Sequence, residues 1–350
     1  MIVDRPTQIR VLHVIPGNPE GIEFVFAKRQ VAFLQRGGVA VRTFFLPSRT
    51  SLLQLLRHAV RFRCEIKEFR PHIIHAQFGT MTAFFCACAT RLPVVVTFRG
   101  SDLNPSPHIS VVRSILGRLL SQLAALRAEY SICVTGRLKA QLWWRKHRAR
   151  VVPSGVDLDM FCPSSKQAAR TKLGWSQTDR IVLFNNAGQY PKIKRLDLAE
   201  EAVLAAQLQI DHLRLVVMQG EIAPETMPTY LNAVDCLLVT SDWEGSPNIV
   251  KEAMACNLPV VSVDVGDVAE RLEGVDPSRI ADREVADLAA AMAAIVGTGA
   301  RSNGRERLRQ LSQQAVAEQI CSIYDLIMQK MQAETLPSSD RANCRPGVSD

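Results

Sequence analysis
No segment of the 350-residue chain reaches the roughly 18 consecutive apolar residues that a membrane-spanning helix requires. No G-x-G-x-x-G or G-x-x-x-x-G-K-[ST] follows a strand-like run, which disfavours a dinucleotide-dependent dehydrogenase and a P-loop enzyme. No histidine, cysteine and carboxylate cluster has metal-ligand spacing, so no metal site is expected. The nine cysteines are scattered, without a C-x-x-C pair, and read as reduced thiols in a cytoplasm. "MIVDRPTQIRVLHVIPG" places Asp4 and Arg5 before its apolar run, which predicts a strand and not a secretory signal.

What is present is enough apolar material, 47% of the residues, for two ordinary cores. The net charge of +8 suits nucleic acid, an anionic membrane face or phosphorylated substrates. Short β-branched runs recur: "RVLHVIP", "VAVRTFFLP", "HIIHAQF", "VVVTFRG", "YSICVTG" and "RVVPSG", then "RIVLFNNAG", "LRLVVMQG", "DCLLVTSD" and "LPVVSVDVG". Between them lie segments of helical spacing, one following Gly21 with Ile22, Phe26 and Phe33 and stopping at Gly37-Gly38. Strands alternating with helices over both halves predict two doubly wound parallel sheets. "SGVDLDMFCPSSKQAAR" collects Gly, Pro and Ser without strand periodicity, placing a linker near Asp157 to Lys166. The expected division is a first domain over 1–160, a second over 161–332 and a polar, disordered tail over 333–350. The last ordered helix is expected around Leu308 to Met331.

The stretch "SDWEGSPNIVKEAMACNLPVV" sets Glu244 and Glu252 eight positions apart across a strand-to-helix junction. Such loops form the carboxyl-end crevice of parallel sheets, where ligands bind. Gly245 allows close backbone approach. Ser246 and Pro247 lead into the helix, whose first N–H groups, on Asn248, Ile249 and Val250, face an anion. A diphosphate flanked by hydroxyl-bearing groups fits this pattern, one carboxylate gripping a sugar and the other a ribose. Two solvated glutamates at a helix start are the plainer reading.

"EGSPNIVKEAMACNLPVV" resembles the E-x7-E signature of the retaining, nucleotide-sugar-dependent glycosyltransferases of family four. "PHIIHAQFG", "VVVTFRGSD", "VVPSGVDLDMFCP" and "AGQYPKIKRLDLAEEA" are similar to further segments of that family, so the resemblance covers nearly the whole chain. It implies a GT-B fold: two Rossmann-like domains facing each other across a cleft, the last helix crossing back to the first. It also implies that Glu244 contacts donor-sugar hydroxyls, that Glu252 holds the nucleotide ribose and that Lys194 lies against the donor phosphates. Gly21 matches the glycine of the family's first loop, which lets the first domain close on donor or acceptor; an ordinary loop glycine is the alternative. The expected partners are a nucleotide-sugar donor and a glycan or lipid-linked acceptor. No cofactor or metal is expected; transfer would retain the anomeric configuration and, by analogy, serve cell-surface polysaccharide biosynthesis.

Two positions depart from the family pattern. Its phosphate-binding arginine is replaced by Gln189, for which Lys192 or Arg195 are candidate substitutes. A histidine near the transferred sugar is replaced by Arg99, leaving either charge stabilisation of phosphate or acceptor, or a salt bridge with Asp102. Without a base at that position, the acceptor proton would pass to the leaving phosphate. His75, at a strand end, is read as structural rather than catalytic, and Cys86 to Cys88 as buried packing.

Basic residues concentrate in two apolar segments, "LLQLLRHAVRFRCEIKEFR" and "GRLKAQLWWRKHRAR". A solvated face, an anionic membrane surface at the inner face of the membrane and nucleic acid are the three readings, nucleic acid the least favoured. Two other functions stay open: a non-catalytic nucleotide-sugar-binding scaffold or sensor, and a GT-B nucleotide-sugar epimerase.

Overall fold
The computed structural model describes residues 8–20, 24–105, 110–187, 191–220 and 222–335. The apolar runs form two parallel sheets, and the chain divides into one unit of Met1–Val152 with Ala317–Asp350 and a second of Pro153–Val316.

In the first unit the strands are β1 (Arg10–Pro16), β2 (Ala40–Leu46), β3 (Ile73–Ala76), β4 (Val94–Phe98), β5 (Tyr130–Cys133) and β6 (Ala149–Val151). They lie in the order β2-β1-β3-β4-β5-β6, all parallel. The helices are α1 (Val25–Arg36), α2 (Leu52–Phe69), α3 (Thr80–Ala89), α4 (Val111–Arg127) and α5 (Gly136–Ala140). Alternation along β1 decides which face each side chain serves. Leu12 and Val14 join Phe62 of α2, Phe85 of α3 and Ala124 of α4 in one core, whereas Ile15 packs with Ala27 and Val31 of α1 on the other face. Central strands covered on both faces read as continuous apolar runs, which is why β4, "VVVTF", is buried throughout.

In the second unit β7 (Arg180–Asn185), β8 (Leu213–Met218), β9 (Cys236–Val239), β10 (Val260–Ser262) and the two-residue β11 (Arg279–Ile280) lie in the order β11-β10-β9-β7-β8, again parallel. Its helices are α6 (Lys166–Leu173), α7 (Leu196–Ala206), α8 (Met227–Ala233), α9 (Asn248–Ala255), α10 (Val268–Leu272) and α11 (Val285–Val296). Chain order reverses between β7 and β9, so the loops leaving these two strands flank a topological switch point, the place where α/β sheets bind ligands.

Asp235, just before β9, locks this register. Its carboxylate accepts from Arg170 Nη2 and Lys166 Nζ at 2.8 Å each and from the Ile181 N–H of β7 at 2.7 Å. Arg170 and Asp235 side chains are only 1% and 2% exposed, and the guanidinium also donates to the Ala233 carbonyl at 2.8 Å.

Two boundaries differ from the sequence expectation. The unit boundary falls at Val152–Pro153, ahead of Asp157 to Lys166, because Val156 bonds to the chain segment returning from the second unit. Its N–H donates to the Leu311 carbonyl and its carbonyl accepts from Gln313 N, both at 2.9 Å. The final helix, α12 (Gln313–Thr335), begins later than Leu308. Gly304–Leu311 is a separate 3-10 stretch, and Ser312 Oγ accepts the Ala315 N–H at 3.0 Å, an N-cap that restarts the helix.

From Ala317 onward α12 belongs to the first unit. Tyr324, fully buried, places its hydroxyl 2.6 Å from His75 Nδ1 and 3.4 Å from His13 Nε2. His75 Nε2 lies 2.7 Å from Thr97 Oγ1, and His13 Nδ1 lies 2.8 Å from Gln77 Nε2. Burial, reinforced by the charge of Arg99, pushes His13 down to about 3. Burial also holds His75 well below the usual histidine range. Both rings are therefore neutral near pH 7, and His75 serves as a structural hub. Cys86 is buried but Cys88 is exposed, correcting the expectation that the whole "CAC" stretch packs inside: successive helical residues point about 100° apart.

Candidate active site
The loop after β7 carries a 3-10 turn, Pro191–Lys194, and the loop after β9 carries Glu244. The first loop is anchored on the second. Thr240 Oγ1 donates to the Lys194 and Arg195 carbonyls at 2.8 and 2.9 Å, and Asp242 N–H donates to the Ile193 carbonyl at 2.8 Å. Across this seam Lys194 Nζ forms an ion pair with Glu244 Oε1, which also accepts from Ser241 Oγ at 3.0 Å. Both known partners sit on Oε1, and Oε2 has no hydrogen-bond partner among the described residues.

Glu244 leads through Gly245, Ser246 and Pro247 into α9. Pro247 occupies the N-cap and no side chain caps the helix, so the first N–H groups, on Asn248, Ile249 and Val250, keep the positive end of the helix dipole available to an anion. Glu252 lies one turn further along, half-buried. The buried amide oxygen of Asn248 has no partner among the described residues.

The candidate residues thus fall into three groups. Lys194, Glu244, the Gly245–Pro247 turn, the start of α9 and Glu252 belong to one loop pair at the switch point of the second sheet. Lys192 lies on the same turn as Lys194 and is exposed. Arg195 is engaged elsewhere: its guanidinium donates to Asp197 at 2.8–3.0 Å and reaches Asp242 at 3.5 Å. Of the two substitutes for the lost arginine, this leaves Lys192. Gln189 and Gly21 lie outside the described residues.

Arg99 belongs to the first unit, in the loop after β4. Its Nε donates to the Gln77 carbonyl at 3.0 Å, one Nη reaches the Gln30 side chain at 3.1 Å, and the guanidinium lies 4.4 Å from the centroid of the Phe26 ring. Burial pushes it down to about 9, opposed by Asp102, so it stays cationic near neutrality. Asp102 itself accepts backbone N–H groups, from Gly79 and Arg99 at 3.0 Å and Gly100 at 2.8 Å. Its role is therefore that of a loop anchor, with the guanidinium's hydrogen bonds directed to glutamine groups.

Several contributors escape the sequence reading. Gly266 has φ +62°, and a Cβ there would lie 2.5 Å from the Gly245 carbonyl oxygen; only glycine fits beneath the Glu244–Gly245 turn. Arg283 holds the end of β9 through the Thr240 and Ser241 carbonyls at 2.8 and 3.1 Å. Lys251 is buried, with Nζ 3.0 Å from both Ser246 Oγ and the Ser154 carbonyl. Ser246 Oγ in turn donates to Asp267 Oδ2 at 2.8 Å, which Arg271 Nε approaches at 3.1 Å. This buried relay fixes the turn before α9. The glycine in "VDVGD", in the loop after β10, was the available signal; Lys251 and Arg283 had none.

Two parallel-sheet α/β units, the second with a ligand-type switch point, define the GT-B class of fold. A model of Glycosyltransferase Family 4 matches residues 9–160, and a model of Glycosyl transferases group 1 matches residues 180–298. The two halves of the chain are accordingly domains of the GT-B glycosyltransferases of family 4 and group 1. Among curated proteins, TuaC of Bacillus subtilis, named for teichuronic acid biosynthesis, is 24% identical over 226 residues, 58% of this chain and 56% of its own length. The D-inositol 3-phosphate glycosyltransferase of Geodermatophilus obscurus is 29% identical over 183 residues, 43% of this chain and 40% of its own. The matched region thus spans about half the length of these relatives.

Solved structures agree on the fold. The sucrose-phosphate synthase of Thermosynechococcus elongatus has a TM-score of 0.77 at 18% identity, covering 92% of this chain and 100% of its own. HepE of Anabaena, solved with UDP-glucose, has a TM-score of 0.65 at 18% identity, covering 93% and 100%. The UDP-GlcNAc 2-epimerase of Methanocaldococcus jannaschii has a TM-score of 0.59 at 11% identity, covering 91% and 100%.

Proposed function
We infer that the protein is a glycosyltransferase that moves a sugar from a nucleotide-sugar donor to a glycan or lipid-linked acceptor. The observation that carries this reading is the Lys194–Glu244 pair beside the uncapped start of α9 at the switch point. A nucleoside diphosphate carries two features this site matches: phosphate negative charge for the helix N-terminus and Lys194, and hydroxyls for Glu244 and Glu252. HepE, of the same fold, was solved with UDP-glucose, which supports a nucleotide-sugar donor.

In the proposed reaction the bond between the anomeric carbon and the diphosphate oxygen breaks while the acceptor oxygen bonds to that carbon. Negative charge grows on the departing diphosphate, where Lys194 and the N–H groups of Asn248, Ile249 and Val250 stabilise it. For Lys194 this means exchanging its present partner, Glu244, for the phosphate. Glu244 then orients the sugar hydroxyls and Glu252 the ribose. The acceptor proton passes to the leaving phosphate on the same face, giving retention without a metal. Arg99 adds fixed positive charge to the first unit's loop after β4, where it serves the acceptor.

An epimerase of similar fold is the second reading, and one assay separates them. Wild-type protein in EDTA, given nucleotide sugar, is expected to release nucleoside diphosphate only when acceptor-containing membrane extract is added. Epimerised donor formed without acceptor would replace the transferase reading with the second one.

A further inference from the structure
The helix α4 presents small side chains inward and large ones outward. Its Ser121, Ala124 and Ala125 are buried, and Gly117 lies so near α3 that a Cβ there would sit 3.3 Å from Thr80 Cγ2. Ser121 Oγ fastens this side by donating to the Asp102 carbonyl and accepting from Thr80 N–H, both at 2.7 Å. On the opposite side are Val112, Ile115, Leu116, Leu119, Leu123 and Leu126, ranging from 77% exposed at Val112 to 38% at Leu123. At 3.6 residues per turn these six fall on a stripe about 100° wide. A stripe of that width ordinarily faces a core. Here it faces solvent, and a contiguous exposed apolar patch marks an interaction site where scattered apolar residues do not.

Trp143 and Trp144 extend the stripe. Both are exposed, and their rings meet edge to face at 5.5 Å. They are tied to the C-terminal half of α4 by Trp143 N–H donating to Gln122 Oε1 at 3.0 Å and by Arg145 Nη1 donating to the Leu126 and Ala128 carbonyls at 2.9 Å each.

Charge selects the occupant. Between Asn104 and Val156 there are nine lysines and arginines and one acid, Glu129. Arg113 and Arg127 flank the stripe and Lys146 follows the tryptophans, all exposed. A second copy of the chain would bring the same positive charge against this one, and a nucleic acid would leave six aliphatic side chains without apolar contact. An anionic lipid surface satisfies both features: the aliphatic groups enter the acyl boundary, the tryptophans sit at headgroup level and the basic groups meet lipid phosphates. α2, in the same helical layer, adds exposed Leu52, Leu53, Leu56 and Val60.

We propose that the outer face of α4, extended by Trp143 and Trp144, docks the chain on an anionic lipid bilayer. The most exposed residues are at the N-terminal end of α4, which lies at the carboxyl edge of the first sheet, the edge to which β4 delivers Arg99. Docking through this end would bring that edge to the surface that holds lipid-linked saccharides. In this respect the inference rests on the lipid-linked acceptor reading, but its test requires no turnover, so the two fail separately.

The full chain is sedimented with vesicles of phosphatidylcholine alone and of phosphatidylcholine mixed with phosphatidylglycerol, the latter being expected to hold it at least about tenfold more tightly. Replacing Leu116→Ser and Leu119→Ser together should weaken that partitioning about tenfold or more, with Tm unchanged because both positions are exposed. The blue shift of tryptophan fluorescence on mixed vesicles should disappear in Trp143→Phe/Trp144→Phe. Equal binding to both vesicles, or full binding by a normally folded leucine variant, would overturn the proposal. So would a wild-type dimer dissociated by the leucine substitutions, or nucleic-acid binding lost with them in the absence of vesicle binding.

Discussion

Replacing Glu244 by alanine is expected to lower turnover by about 10²-fold or more while leaving the melting temperature near that of the wild type, and Lys194→Ala should do the same. The two side chains meet across the β7 and β9 loops, and neither lies in the hydrophobic core. Their loss therefore removes preorganised charge at the reacting centre more than it removes packing. Because in the proposed reaction the groups act on the same leaving diphosphate and sugar, the double variant should be much less impaired than the product of the single effects would require. The rate of nucleoside diphosphate release, measured beside circular dichroism of each variant, checks this. Turnover within a few-fold of the wild type in either single variant would remove that residue from the proposed chemistry.

The largest expected effect on stability lies deeper in the same unit. Asp235→Ala should cost about 3–5 kcal/mol in chemical denaturation, the usual penalty for breaking a buried pair. Arg170 would retain its bond to the Ala233 carbonyl but lose its carboxylate, leaving a guanidinium charge buried without compensation. The Ile181 N–H would lose an acceptor as well, loosening the β7–β9 pairing from which both loops of the candidate site depart. A double substitution, Arg170→Met with Asp235→Leu, should be less damaging than Asp235→Ala alone, because no uncompensated charge remains. A loss below about 1 kcal/mol for Asp235→Ala would show that the pair does not hold this register.

Strand and helix alternation was legible because central strands are covered on both faces and therefore read as unbroken apolar runs, as β4 does. The Glu244–Glu252 segment was legible for a different reason: a turn, a helix start and two carboxylates are all encoded within a few consecutive residues. What escaped lies in long-range contact. Gly266 matters only because its backbone runs beneath the Gly245 carbonyl, and Arg283 because it reaches the end of β9 from another loop. Arg195 looked available as a phosphate ligand by spacing, yet Asp197 and Asp242 claim its guanidinium. In α4, apolar periodicity identifies a stripe but carries no direction. That the stripe faces outward follows from Gly117, Ser121 and Ala124 being the residues small enough to pack against α3 and the sheet. The linker was displaced for the same kind of reason: Val156 pairs with Leu311 and Gln313, partners about 155 residues away in sequence.

The central claim is that the loops after β7 and β9, with the start of α9, bind the nucleotide of a sugar donor. Thermal unfolding of the full chain with UDP, GDP, ADP, dTDP and CMP, run beside Glu252→Ala, tests it most directly. A nucleotide at about 100 times its dissociation constant adds roughly 2.7 kcal/mol to the folded state and raises Tm accordingly. One nucleotide is expected to stabilise the wild type and to lose that effect in Glu252→Ala. Stabilisation by none of the five, or a shift that survives the Glu252 substitution undiminished, would contradict a donor site at this place in the fold.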